Sequence, residues 1–228
     1  PEVFVLETMG RDAGWLAASC CVSGNVDLLV LPEVDFDKQT FLDAVQKKFD
    51  EKGECYIVVS EGVHYADGTY VSAGESAHDG FAHAVLGGAG AVIKQMIIDA
   101  GIVPRGIVQD LSRAARSSNF AQSLVDVTEA YELGMSAHMR SANPAFTAQV
   151  VGVKRAYTEE GAYNAQFFAG PATQFANAVK HFPQEWILPN YQGITDEARA
   201  YFIPLLKGEP KLIMDEVAPA TLVPFNKR

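Results

Sequence analysis

Five short segments of this 228-residue chain carry the residue types that could do chemistry, and they sit where strands are expected to end. The first is Glu7-Thr8-Met9-Gly10-Arg11-Asp12-Ala13-Gly14-Trp15, directly after the apolar run Val3–Leu6. A strand that ends in a glycine turn, with an arginine at the start of a helix, is a geometry that holds an anion at the carboxyl edge of a parallel sheet. Pro32-Glu33, Ser60-Glu61-Gly62, Asp110, and then Arg113 with Arg116 follow three further apolar runs. Loops after parallel strands open on one edge, so these groups converge if the strands are parallel. Arginine grips phosphate bidentately and a carboxylate suits sugar hydroxyls, which points to a sugar-phosphate site. Taken singly, each arginine could equally pair with a neighbouring acid and only cap the sheet. Arg113 and Arg116 are three apart and share a face if helical, so one can grip ligand while the other is structural.

The elements that must position these groups alternate strand and helix. Strands are expected at Val3–Leu6, Leu28–Leu31, Tyr56–Ser60, Gly106–Gln109 and Gln149–Val153, with helices at Ala13–Ser23, Lys38–Lys52, Ala89–Ala100 and Val127–Ser141. Continuous apolar strands separated by helices of this length predict an α/β fold, a mostly parallel sheet with helices on both faces. Asp37 or Thr40 is placed to cap the second helix, and Gly53 to stop it. Residues 63–83, rich in glycine and polar side chains, read as a long loop above the sheet. Beyond Val153 the pattern changes: Lys154–Asn164 is polar, Gly170-Pro171 opens a possible helix to about His181, and Thr195-Asp196 starts a last helix before a tail with Pro210, Pro219 and Pro224. The division expected is 1–145 as the binding domain and 146–228 as a strand, helices and tail packing on it and on a further lobe.

Composition narrows the function classes. A net charge of −10 disfavours non-specific nucleic-acid and anionic-membrane binding, both of which need a positive field. No run of 18 uncharged apolar residues occurs, and no basic segment followed by an apolar one stands at the amino terminus, so a cytoplasmic protein is expected. The odd count of cysteines, Cys20, Cys21 and Cys55, has no metal-type spacing and reads as small apolar residues in a reducing compartment. The five histidines, His64, His78, His83, His138 and His181, are scattered, so no metal site is expected from this chain. G-x-G-x-x-G after a strand, G-x-x-x-x-G-K-S/T, H-E-x-x-H and G-x-S-x-G are all absent.

One family matches these residues in order. Glu7-Thr8-Met9-Gly10-Arg11-Asp12-Ala13-Gly14-Trp15-Leu16-Ala17-Ala18 resembles the substrate-domain motif of phosphofructokinases, especially the pyrophosphate-dependent branch. Leu31-Pro32-Glu33-Val34, Val58-Val59-Ser60-Glu61-Gly62-Val63, Gly80-Phe81-Ala82-His83-Ala84, Arg113-Ala114-Ala115-Arg116 and Asp126-Val127-Thr128-Glu129-Ala130-Tyr131 continue it, and the register holds over about nine-tenths of the chain. The resemblance implies a Rossmann-like three-layer sandwich that binds fructose 6-phosphate. By the same resemblance, Met9, Gly10 and Arg11 contact the substrate and Glu61 binds a sugar hydroxyl. Arg105 would bind the 6-phosphate, often from a neighbouring subunit, which implies a homo-oligomer; Arg113, with Arg116 competing for the assignment, supplies another phosphate ligand.

The departures are specific. Ser112 replaces the glutamine of the family's Q-R pair, Asp12 stands where this branch commonly has histidine, and Ser117–Gln122 is longer than the usual spacing. The family's glycine-rich phosphoryl-donor loop and T-I-D-x-D segment, which supplies the catalytic aspartate and helps hold magnesium, normally precede this region and occur nowhere in these residues. The expectation is therefore the fructose-6-phosphate-binding half of a pyrophosphate-dependent phosphofructokinase, inactive alone, with magnesium and pyrophosphate held mainly by the other half and the catalytic base unassigned. ATP as donor, and a non-catalytic sugar-phosphate-binding module, are the alternatives. In this family the chain crosses between lobes more than once, so the helix at Val127–Ser141 is expected to expose apolar surface.

Overall fold

Alternation of side chains along each strand decides which helices cover which face of the sheet. In the computed structural model, which describes residues 2–72, 88–111, 114, 115, 118 and 121–211, four strands form one parallel sheet in the order β2-β3-β1-β4. They are β1 (Glu2–Thr8), β2 (Leu28–Val30), β3 (Glu54–Ser60) and β4 (Gly106–Asp110). One face carries Val3, Val5, Leu28, Val30, Ile57 and Val59, packed against Phe41 and Val45 of α2 (Lys38–Lys52) and Ile93 and Ile97 of α3 (Ala89–Asp99). The other carries Leu29 and Val58, packed against Ala17 and Ala18 of α1 (Trp15–Cys20) and Ala198 and Phe202 of α5 (Asp196–Phe202). This is the three-layer arrangement that the apolar runs predict. Asp37 caps α2 by accepting the Thr40 N–H at 2.7 Å, which holds its carboxyl below the usual carboxylate range, and Gly53 ends the helix.

The crossovers place a crevice at a defined point. The chain leaves β1 through α1 on one face and leaves β3 through α3 on the other, although β1 and β3 are hydrogen-bonded neighbours from Glu2↔Glu54 to Thr8↔Ser60. Adjacent strands whose connections part to opposite faces leave a gap above their carboxyl ends, where α/β sheets bind ligands. Met9-Gly10-Arg11 and Ser60-Glu61-Gly62 are the residues at that gap.

The described chain divides into two compact units, Pro1–Ser117 with Asn177–Ile203, and Ser118–Ala176 with Pro204–Arg228. The chain thus enters the second unit, returns, and leaves again. The second unit contains α4 (Leu124–Ser141), capped by Ser123, and a hairpin of β5 (Gln149–Tyr157) with β6 (Tyr163–Pro171). β5 lies outside the parallel sheet: it pairs antiparallel with β6, from Gln149↔Pro171 to Tyr157↔Tyr163. The polar stretch Lys154–Asn164 concealed this hairpin because both strands are half-exposed and lack a clean apolar alternation. Gly170-Pro171 closes β6 instead of opening a helix; a single 3-10 turn at Ala172–Gln174 follows, and Asn177 in a left-handed conformation (φ 57°) precludes extension. No residue of α4 is buried, and Tyr131 and Met139 are 70% and 75% exposed.

Phe41 is fully buried with ring centroids 5.3 Å from Phe36 and 5.5 Å from Tyr191, at the junction of α2 with the segment after residue 177. Phe41→Ala should lower unfolding free energy by about 3–5 kcal/mol. Urea denaturation measures this, and a loss below about 1 kcal/mol would show that the two segments do not share one core.

Candidate functional site

The loops after β1 and β3 are joined main chain to main chain. The Glu61 N–H donates to Thr8 O at 3.0 Å and the Gly62 N–H to Gly10 O at 3.1 Å, extending the β1–β3 ladder past the strands. Ser60 Oγ donates to the same Gly10 carbonyl at 2.6 Å, and the Gly10 N–H donates to Glu61 Oε1 at 3.2 Å. Gly10 has φ +143°, and a Cβ there would lie 2.4 Å from Ser60 Oγ and 2.7 Å from Ala13 O. Gly62 is needed for a different reason: its Cβ would fall 1.8 Å from the Arg11 carbonyl oxygen. No other residue type permits either approach.

This zipper presents Arg11 at the mouth of a cleft of about 540 Å³. The Arg11 guanidinium is anchored through Nε to Asp12 Oδ2 at 2.8 Å, in a pair that is 30% and 41% exposed. Because Nε takes the carboxylate, the terminal nitrogens form the edge suited to a bidentate oxyanion. His64, Tyr70, His181 and Gln184 line the cleft with Arg11. Their spacing along the sequence gave no sign of this convergence, since His181 arrives on the segment that returns to the first unit.

The expected site residues are distributed unevenly. Met9, Gly10, Arg11 and Glu61 come together at the β1–β3 gap. Arg105 does not join them: it precedes β4 at the amino edge, beside Glu2 (3.9 Å), and is 81% exposed. Gly106 pairs with Val3, whereas Thr8 closes β1, so Arg105 lies about 17 Å of strand away from the loop. Arg113 and Arg116 lie outside the described residues, as do the Gly80–Ala84 segment, His78, His83 and most of the tail. Glu33, expected as a group facing the cleft, does line it, and its carboxylate is engaged with the main chain: Oε1 accepts the Gly14 N–H at 2.9 Å and the Phe182 N–H at 2.8 Å. Glu7 was not singled out by the sequence. It is 3% exposed and accepts the Gly88 and Gly90 N–H groups at 2.8 and 2.9 Å, at the amino end of α3, where a carboxylate complements the helix dipole. A glutamate closing an otherwise apolar strand was the available signal.

Cys21 and Cys55 are buried, and desolvation pushes both thiols up to about 12, so neither is a thiolate nucleophile at neutral pH. Among the described residues, no cluster of three or more His, Cys, Asp or Glu side chains could hold a metal ion. Among them too, no helix is long and apolar enough to cross a membrane.

The sequence of residues 1–141 matches the family model for phosphofructokinase. The chain belongs to the phosphofructokinase family. It is 37% identical over 215 residues to a pyrophosphate–fructose 6-phosphate 1-phosphotransferase of Halomonas elongata, covering 91% of this chain and 50% of that protein. A protein of the same name from Methylococcus capsulatus is 38% identical over 214 residues, covering 91% and 49%. The pyrophosphate-dependent phosphofructokinase structure from Nitrosospira multiformis superposes with a TM-score of 0.75 at 27% identity, over 96% of this chain and 51% of that one. The chain thus spans about half the length of the relatives it matches. Within the phosphofructokinase fold, the Met9-Gly10-Arg11 turn and Glu61 meet at the topological gap of the sheet.

Gly62→Ala tests the zipper. Its Cβ forces the two loops apart, at a cost of roughly 1–3 kcal/mol. A melting temperature within about 1 °C of the unaltered chain would show that the loops are not held at this distance.

Proposed function

We propose that this chain is the fructose-6-phosphate-binding part of a pyrophosphate-dependent phosphofructokinase of glycolysis, acting in the cytoplasm. The observation that carries the reading is the zipper of Met9-Gly10-Arg11 to Ser60-Glu61-Gly62, which sets an arginine and a carboxylate at one gap. Arg11 would take phosphate oxygens on its terminal nitrogens, while Glu61, which already accepts the Gly10 N–H, would accept a sugar hydroxyl. Arg113 and Arg116 remain alternative further phosphate ligands in this reading.

The reaction of the complete enzyme would form a bond between the sugar 1-oxygen and the transferred phosphorus as the donor's bridging P–O bond breaks. The hydroxyl proton would pass to a catalytic base, which the family resemblance implies lies in the T-I-D-x-D segment of the donor-binding half. Such transfers rest on positioning and charge stabilisation. This part would contribute position, holding the sugar phosphate at two points so that its 1-hydroxyl faces the donor. Magnesium, which the family resemblance implies, would neutralise the donor phosphates; the described residues form no cage for it. We infer that the cation is held mainly with the donor, outside this set of residues.

Arg105 fits the reading in one way only. Its distance from Arg11 along the sheet prevents both from gripping one ligand within a chain, and its exposure leaves it accessible to another subunit's site. A homo-oligomer in which Arg105 reaches a neighbouring subunit's site is therefore part of the proposal.

Assays of the complete enzyme with pyrophosphate and with ATP, each with fructose 6-phosphate and magnesium, test the function: turnover with pyrophosphate is expected, faster turnover with ATP would reassign the donor, and turnover with neither would sink the enzyme reading. Arg11→Ala should weaken fructose 6-phosphate binding by about 10- to 150-fold, the equivalent of a charge-assisted phosphate contact worth roughly 1.5–3 kcal/mol. An unchanged Michaelis constant would remove Arg11 from the site. Arg105→Ala should weaken binding only at concentrations where sedimentation shows oligomer; equal weakening in the monomer would contradict the subunit-crossing role.

A further inference from the structure

We propose that Glu33 is a positioning residue for the sugar-phosphate site, building the Arg11 cleft by tying the Gly14 loop to Phe182, 149 residues beyond Glu33 itself, rather than touching ligand; the inference rests on the functional reading above. Its sequence position, just after β2, makes it look like one more cleft-facing carboxylate. It does line the cleft, but its carboxylate oxygens are taken up by main-chain donors.

One carboxylate oxygen, Oε1, accepts two main-chain N–H groups, from Gly14 at 2.9 Å and from Phe182 at 2.8 Å; Oε2 also receives Gly14 at 3.2 Å. The Glu33 carbonyl accepts the Gln184 side-chain amide at 3.2 Å, so the residue holds the returning segment through both side chain and backbone. Gly14 closes the loop that presents Arg11. A Cβ there would sit 2.5 Å from Leu31 Cδ2 and 3.0 Å from Glu33 Oε2, so the carboxylate is seated directly against the loop's main chain. Phe182 is 1% exposed and stacks on Phe202 at 6.1 Å, which makes its amide a rigid point of attachment.

The same returning segment is fastened beside α1 at a second place. Trp15 Nε1 donates to Lys180 O at 2.6 Å, and the Lys180 ammonium lies 4.9 Å from the Trp15 ring centre. The attachments at Lys180 and Phe182 thus flank His181, which with Gln184 lines the same cleft as Arg11. Nothing in local sequence couples residues 10–14 to residues 180–184. Glu33 does so with charge-assisted bonds, stronger than neutral ones and short enough to fix both segments. Its removal leaves two amide donors without their acceptor and lets the returning segment move relative to Arg11.

The test uses the full chain with three variants, Glu33→Ala, Glu33→Gln and Glu33→Asp. Amide hydrogen exchange at Gly14 and Phe182 reads the lock itself, and calorimetric titration with fructose 6-phosphate reads its consequence. Glu33→Ala should speed exchange at both amides by about tenfold or more and weaken binding by about tenfold. Glu33→Gln, which keeps an oxygen acceptor, should restore most of both. Glu33→Asp keeps the charge but cannot reach both amides, so it should resemble Glu33→Ala and serves if that variant fails to fold. In the complete enzyme the loss should fall on KM, with kcat within about twofold.

Unchanged exchange in Glu33→Ala would overturn the lock. Faster exchange with unchanged affinity would overturn the positioning role, as would a Glu33→Gln variant as impaired in binding as Glu33→Ala, since that pattern marks a direct ligand contact. An unaltered chain that binds no fructose 6-phosphate overturns the sugar-phosphate reading and the positioning role with it; that failure is recognised because exchange at Gly14 and Phe182 still responds to Glu33→Ala.

Discussion

Glutamate carboxylates turned back onto glycine amides hold the working edge of this sheet together. Glu7 at the end of β1 takes Gly88 and Gly90, Glu33 after β2 takes Gly14, and Glu61 after β3 takes Gly10. These glycines lie beyond the strand ends, where regular ladder partners have run out and an amide needs another acceptor. A carboxylate accepts such amides with charge-assisted bonds, and it has a flexible stem long enough to reach them from a neighbouring strand. The loops of the candidate site are positioned mainly by this pattern and by the Gly10–Ser60–Gly62 zipper, and less by their own conformational preferences.

That pattern has an energetic counterpart in the layers beneath. The sheet buries both faces, so its strands carry continuous apolar runs and leave little room for polar side chains except at their ends. Glu7 and Ser60 are nearly inaccessible, yet each has main-chain partners, which offsets the cost of taking them from water. Thr8 is different: its Oγ1 is buried with no hydrogen-bond partner among the described residues, one position before the Met9-Gly10-Arg11 turn. The second unit shows the opposite balance. Helix α4 carries Leu124, Val127, Tyr131, Met135 and Met139 in exposed positions, more apolar surface than a helix leaves to water without reason.

Much of the fold was legible in the amino-acid order. The second helix starts and ends at Lys38 and Lys52 as its Asp37 cap and Gly53 stop imply, and four apolar runs became four parallel strands. The hairpin β5–β6 was half missed, because a two-stranded ribbon with neither face fully buried leaves no strong period to detect. The helix expected after Gly170-Pro171 failed for a related reason: the residues there tolerate a helix, and only Asn177's left-handed backbone and the return of the chain to the first unit forbid one. The candidate site divided along the same line. Met9, Gly10, Arg11 and Glu61 are where strand ends put them, whereas Arg105, read as a phosphate ligand, stands at the opposite edge of the same sheet.

By itself the sequence determined that strands alternate with helices, that the sheet is buried on both faces, and that glycine, arginine and glutamate gather at strand ends. Those properties depend on side-chain type and on spacings of a few residues, which local physics can read. Tertiary structure decided which distant amides each carboxylate accepts. Glu33 and Glu61 both follow a strand, and nothing within ten residues distinguishes them. Phe182 comes to Glu33 from the far end of the chain, and that one amide makes Glu33 a clasp between distant segments. Such a distinction depends on which distant donor arrives, and this is settled only when the whole core packs.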